Sequence, residues 1–204
     1  ILDILEEQGD EIFRDADSIA LEIDMDKEIV KRVFAFAEKY HKPVFAVVSN
    51  MSIAVERRDF LRSCACFVCN QQEAGILFSE DYEGKTPAEL ETVLSHHVQA
   101  AALPGIVVTM GEQGAVYATL DGERGWCPAK RVDVKDTTGA GDAFFAGVTM
   151  GLTYGKTLAE SCTIGARLAA SVICTSENVC PRFLPSEFGL KAPDSDDGQL
   201  ALEL

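Results

Sequence analysis

The sequence predicts an α/β domain built as a doubly wound, mostly parallel sheet with helices on both faces. Three observations carry that expectation. Strand-like runs alternate with helical patterns along the chain, as successive βαβ units require. The run Ile106-Val107-Val108 is apolar at every position, the mark of a strand covered on both faces. The stretch Asp136-Thr137-Thr138-Gly139-Ala140-Gly141-Asp142 leads at once into the apolar run Ala143 to Val148, a glycine-rich turn feeding a helix.

The chain opens without methionine on a helical pattern, with Ile1, Ile4 and Leu5 on one face, and reads as a chain entered partway through. Residues 18–23 alternate weakly as a short strand. After Asp26, an acceptable cap, Ile29, Val30, Val33, Phe34, Ala37 and Tyr40 recur at helical spacing and Pro43 marks the stop. Residues 44–49 form the next strand. Ser49, Asn50 and Ser52 come after it, either as a polar loop capping the next helix or as ligand contacts at a strand end. A short helix through Phe60 and Leu61 leads to a strand at residues 65–69 and then to Asn70-Gln71-Gln72-Glu73.

Thr86-Pro87-Ala88-Glu89 is a capping box with proline at the first helical position, opening a helix that Pro104-Gly105 closes. Behind the Ile106 strand come Thr109-Met110-Gly111-Glu112-Gln113-Gly114, a strand at residues 115–119, the turn signal Asp121-Gly122 and a returning stretch at residues 125–128, together a β-hairpin. Trp126 on that hairpin reads as packing. Val132 and Val134 alternate with charged residues as a short strand would. Thr157-Leu158-Ala159-Glu160 is a second capping box, and its helix is rich in small residues: Gly165, Ala166, Ala169, Ala170 and Ser171. Small side chains there admit a neighbouring helix or a flat ligand such as adenine. Residues 1–190 read as one domain, and residues 191–204 as an acidic, mobile tail.

Composition narrows the function classes. A formal charge of −15 and a pI near 4.5 argue against a nucleic-acid or anionic-membrane partner, because phosphate backbones are held by basic patches. No apolar run has the length of a membrane span and no leader is visible, so a cytoplasmic location is expected. Seven cysteines are an odd number for a disulfide framework. The cluster Cys64, Cys66 and Cys69 lacks a fourth ligand at a plausible offset, so buried small side chains are expected there rather than a metal. His96 and His97 have no acidic or cysteine partner at ligand spacing and read as packed or surface residues.

The chemistry concentrates at Gly139 to Asp142. The first amides of a helix have no partner within it and carry partial positive charge, and glycines admit an anion with no Cβ in the way. Asp142 beside such a turn either caps the helix or takes the proton from a hydroxyl that attacks the anion. A dinucleotide-binding loop would need glycine where Phe144 stands, and a P-loop would need Gly-Lys-Ser/Thr after the glycines; neither fits. Asn70 and Glu73, three apart on a first helical turn at a strand end, either have the spacing to face one hydrated Mg²⁺ or simply start a helix. Thr109, Gly111 and Gly114 at another strand end offer bare backbone and a hydroxyl to a base or phosphate, or form a simple turn.

Asp136 to Gly147, read as DTTGAGDAFFAG, resembles the C-terminal motif of the ribokinase (phosphofructokinase B, PfkB) family of ATP-dependent sugar and nucleoside kinases. The resemblance implies that Asp142 is the catalytic base and that the amides of Gly139, Ala140 and Gly141 form the anion hole. Asn70 to Glu73 resembles the family's Asn-x-x-Glu motif, which makes Asn70 an ATP contact and Glu73 a Mg²⁺ ligand through water. Thr109 to Gly114 resembles its Thr-x-Gly-x-x-Gly nucleotide loop, placing Thr109, Gly111 and Gly114 at ATP, and the helix carrying Ala166 corresponds to the one bordering adenine. Asp136 and Thr138 match positions that hold a monovalent cation such as K⁺ in many members, although local loop hydrogen bonding explains them as well.

The resemblance runs from about Ile19 to about Pro185, the later half to two-thirds of a typical member. The lid and the N-terminal motif that hold most sugar-binding residues fall outside it. It implies ATP- and Mg²⁺-dependent phosphoryl transfer to a primary hydroxyl of a small-molecule sugar or nucleoside, with a homodimer left open. The alternative is a nucleotide-binding chain without turnover.

Overall fold

Helix α1 (Leu2–Asp15) buries Leu5, Gly9 and Phe13 against helix α2 (Lys27–Tyr40), where the Phe13 ring stacks on Phe36 with centroids 5.0 Å apart. In this computed structural model, which describes residues 1–50, 55, 56, 58–176, 179, 180 and 183–190, the expected start and stop signals of α2 hold. The Asp26 carboxylate accepts from the Glu28 amide at 2.9 Å, and the helix ends at His41 in the left-handed region, two residues before Pro43. Ser52 and residues 191–204 lie outside the described residues.

Six strands form one sheet in chain order: β1 (Ile19–Glu22), β2 (Val44–Val47), β3 (Cys66–Asn70), β4 (Gly105–Thr109), β5 (Ala115–Thr119) and β6 (Arg124–Cys127). β1 to β4 are parallel, and β5 and β6 are antiparallel, joined by the hairpin turn at Asp121-Gly122. Helices α2, α3 (Arg58–Ser63), α4 (Gln71–Phe78) and α5 (Pro87–Ala101) connect the parallel strands and share one face. Right-handed crossovers in a sheet that grows in one direction all arrive on the same side. The other face is covered by α6 (Ala140–Thr153) and α7 (Leu158–Ile173).

The twofold alternation of each strand divides its side chains between the two cores. Phe67, Cys69, Ile106 and Val108 pack with α2 to α5, whereas Cys66, Val68, Val107 and Tyr117 pack with α6 and α7. The rule separates Cys66 and Cys69 of β3, and Cys64, which precedes the strand, joins the core of Cys69. All three are buried, and burial pushes the Cys64 thiol up to about 12. They act as small apolar side chains.

The small residues of α7 have two jobs. Gly165 meets α6 backbone to backbone: a Cβ there would lie 2.7 Å from the Phe144 carbonyl oxygen, and one on Gly147 would lie 2.6 Å from the Gly165 Cα. Ala166, Ala169 and Ala170 lie on the wall of a cleft. Gly165→Ala must therefore push the two helices apart, and is expected to lower stability by about 2 kcal/mol despite the better helix former. Calorimetry should show a melting temperature lower by roughly 4–8 °C.

One expected element is absent. Val132 and Val134 do not form a strand; both are exposed, and the segment is tied instead to the end of α7, where the Ile173 carbonyl accepts from the Lys135 amide at 2.8 Å. An alternating pattern becomes a strand only beside a neighbour that completes its hydrogen bonds. The strand nearest in sequence, β6, pairs with β5 alone among the described residues. Also among the described residues, no helix is long and apolar enough to cross a membrane.

Candidate active site

The parallel strands β1, β3 and β4 end on the same edge of the sheet at Glu22, Asn70 and Thr109, and Asn70 stands directly opposite Thr109 in the register. Parallel sheets present their ligands on that edge. Asn70 caps α4: its side-chain oxygen accepts from the Glu73 amide at 2.9 Å, while Glu73 Oε2 accepts from the Asn70 amide at 2.7 Å. The two side chains thus answer each other across a capping box instead of both facing outward, as their spacing alone suggests. Burial pushes the half-buried Glu73 carboxyl up, opposed by its bonds to Asn70 and reinforced by the nearby Asp24 and Glu22 carboxylates. Ser49 donates to Glu22 Oε1 at 2.6 Å, so the residues after β2 join the same edge.

At the end of β4 the Thr109 hydroxyl donates to the Cys69 carbonyl at 3.4 Å, and the chain enters a 3₁₀ turn at Gly111–Gln113. The Gly114 carbonyl accepts from the Met110 amide at 2.7 Å and closes the loop. Gly114 has φ +98°, and a Cβ on it would stand 2.0 Å from the Cys127 carbonyl oxygen. Only glycine fits there, because the loop leans its bare backbone on the strand behind it.

Across the cleft, Gly139 turns the chain into α6 with φ 79°. Among the described residues the amides of Gly139 and Gly141 donate to no acceptor, whereas the Ala140 amide donates to the Thr137 carbonyl at 3.2 Å. Two of the three expected anion-hole amides are therefore open, and the third holds the turn. Asp142 lies in the first turn of α6, exposed, with no hydrogen bond from its side chain among the described residues. It does not cap the helix. Asp136 Oδ1 accepts from the Thr138 amide at 2.9 Å, which holds that carboxyl below its usual range and closes the loop locally.

The β4 loop and the Ala140–Gly141 turn border a cleft of about 580 Å³, a size suited to a small-molecule ligand. Thr109, Gly111, Gly114, Ala140, Gly141 and Ala166 are on its wall; Asn70, Glu73, Asp136, Thr138, Gly139 and Asp142 are not, although Gly139 and Asp142 flank wall residues in the chain. The wall also holds residues that sequence reasoning did not single out as site residues, among them Lys130, Arg131, Val132, Val134 and Ile173. The spacing Ala166, Ala169, Ala170, Ile173 is one helical face and was the available signal for Ile173. Nothing local marks Lys130 to Val134, which are brought in by the tie to α7. His97 is a packed residue, stacked on Phe78 with centroids 4.4 Å apart and 3.0 Å from Glu80 Oε1.

Known proteins resemble this chain in sequence and in fold. Guanosine-inosine kinase of Exiguobacterium acetylicum is 34% identical over 163 residues, 79% of this chain and 53% of that protein. A crystal structure of a probable sugar kinase protein from Rhizobium etli CFN 42 superposes with a TM-score of 0.76 at 26% identity, covering 91% of this chain and 58% of that one. Arabidopsis thaliana ribokinase, solved with ribose and ATP, shares the fold with a TM-score of 0.72 at 22% identity over 83% of this chain and 54% of that one. The chain spans about half the length of the curated relatives it matches. The pfkB carbohydrate kinase family matches residues 6–181, from within α1 to beyond α7, and the chain belongs to that family.

Proposed function

We propose that the protein transfers the terminal phosphoryl group of ATP to a primary hydroxyl of a sugar or nucleoside. The observation that carries this reading is the juxtaposition on one cleft of the Gly141 turn, with its open amides, and the Thr109 to Gly114 loop. In this reading Asp142 accepts the proton of the attacking hydroxyl. The Gly139 and Gly141 amides take up the charge that develops on the migrating group, while Ala140 keeps the turn closed through Thr137. The stripe of Ala166, Ala169 and Ala170 leaves room for a flat base. Family membership supports the reaction class, and the guanosine-inosine kinase relative supports a nucleoside or sugar acceptor.

Among the described residues no group of three or more acidic, histidine or cysteine side chains is placed to hold a metal ion, so at the strand ends the half-buried Glu73 carboxylate alone would offer Mg²⁺ an oxygen. Glu73 would hold the ion through water. Bound there, Mg²⁺ would supply charge neutralisation to the phosphates. For K⁺ the Asp136 carboxylate and the Thr138 carbonyl offer oxygens of suitable type.

The test is ADP release by the full-length protein over a panel that includes ribose, deoxyribose, guanosine and inosine, with Gly141→Ala beside the wild type. A Cβ on Gly141 meets nothing within 4 Å, so the variant should melt within about 2 °C of wild type. Its methyl group narrows the approach to the open amides, and turnover is expected to fall about 10²-fold, the scale of losing one oxyanion donor. Silence of the wild type across the panel, with ATP still bound, supports nucleotide binding without turnover instead.

A further inference from the structure

We infer that Trp126 is a positioning residue for the nucleotide loop, holding the turn at Gly111–Gln113 in place from the side of the sheet away from the cleft. The inference rests on the nucleotide reading of that cleft. The Trp126 indole N–H donates to the Gln113 carbonyl at 2.6 Å, joining β6 to the last residue of the turn. The other hydrogen bonds of the turn are internal: the Met110 carbonyl accepts from Gln113 at 3.1 Å, the Gly111 carbonyl accepts from Gly114 at 3.1 Å, and the Gly114 carbonyl accepts from Met110. Bonds of that kind fix the shape of a loop but not where it sits. Among the described residues, the Trp126 bond is the one side-chain hydrogen bond that reaches the loop backbone from outside.

The sheet register explains the geometry. Trp126 stands opposite Val116, whose side chain packs with the α2–α5 face, while its neighbour Cys127 packs with α6 and α7 and lends its carbonyl to the close contact with Gly114. Adjacent residues of β6 thus meet the loop, Trp126 through its side chain and Cys127 through its backbone carbonyl. Trp126 remains 48% exposed and is not on the cleft wall, so neither core burial nor base stacking accounts for the ring. A directional bond from a stiff side chain to the loop does. The consequence is that the indole N–H sets how well Gly111 and Thr109 are presented to the nucleotide, without touching it.

The experiment is calorimetric titration of MgATP into the full-length protein and its Trp126→Phe variant, which keeps an aromatic ring and removes the N–H. Expected is a Kd and a KM for ATP about three- to tenfold higher, the worth of one hydrogen bond, with kcat unchanged within about twofold and melting within about 2 °C. Amide exchange at Gln113 and Gly114 should quicken in the variant. An unchanged Kd overturns the inference whatever the exchange shows, and a collapse in melting temperature assigns Trp126 to the fold and overturns it too. Failure of the wild type to bind MgATP removes the nucleotide reading of the cleft, and this inference with it. Because Trp126 is the single tryptophan of the chain, its emission in the wild type gives an independent record of nucleotide binding.

Discussion

Replacing Asp142 with asparagine in the full-length protein is expected to lower kcat by two to four orders of magnitude while the KM for ATP stays within about twofold. The structural ground is that the Asp142 side chain does no other visible work. It is exposed in the first turn of α6, caps nothing, and has no hydrogen-bonded partner among the described residues. Asparagine keeps its shape, and what is lost with the charge is a modest favourable interaction with the helix N-terminus, a few tenths of a kcal/mol to about 1. The fold should therefore survive. Proton acceptance should not, because an amide is no base. Steady-state ADP release against ATP and acceptor, read with the melting curve, separates the two effects. Turnover equal to wild type would take Asp142 out of the mechanism.

The second large effect is on stability and site together. Gly114→Ala is expected to cost about 3 kcal/mol or more and to abolish tight ATP binding. Its φ of +98° disfavours any side chain, and its Cβ would fall 2.0 Å from the Cys127 carbonyl and 2.7 Å from the Ala129 amide nitrogen, both backbone atoms of a segment that cannot swing aside. The loop must lift off β6. A melting temperature lower by roughly 6–12 °C, with Kd for MgATP raised at least tenfold, is the expected record. Gly111→Ala is the matched comparison. It also has a positive φ, but nothing stands within 4 Å of its Cβ, so its cost is about 1 kcal/mol of backbone strain. If the two variants melt alike, close backbone contact is not what Gly114 provides.

Several site residues were readable because their signals are local. The helix start at Asn70, the glycines at 111, 114, 139 and 141 and the base candidate Asp142 are each set by neighbours within a few positions, and a turn or a helix start is a short-range object. The same locality misled at Val132 and Val134. Their alternation is the pattern of a strand, yet a strand is completed by a partner distant in the chain, and here the tie to Ile173 was made instead. The pairing of roles along α7 was equally hidden. Small residues at 165 and 166 look interchangeable in sequence, and one packs on a helix while the other faces the cleft.

Residue order alone marks the helices, most of the strands and their alternation, and the glycine turns at strand ends and helix starts, since periodicities, caps and turns are read over a few neighbouring residues. Which of those turns share a cleft, that Glu73 answers Asn70, that Ala140 gives its amide to Thr137, and that a tryptophan on an edge strand braces the loop opposite α6 came from the folded arrangement. Those contacts join partners whose orientation or distance in the chain leaves no periodic trace; they exist because the sheet brings its ends together and packing fixes which groups then meet.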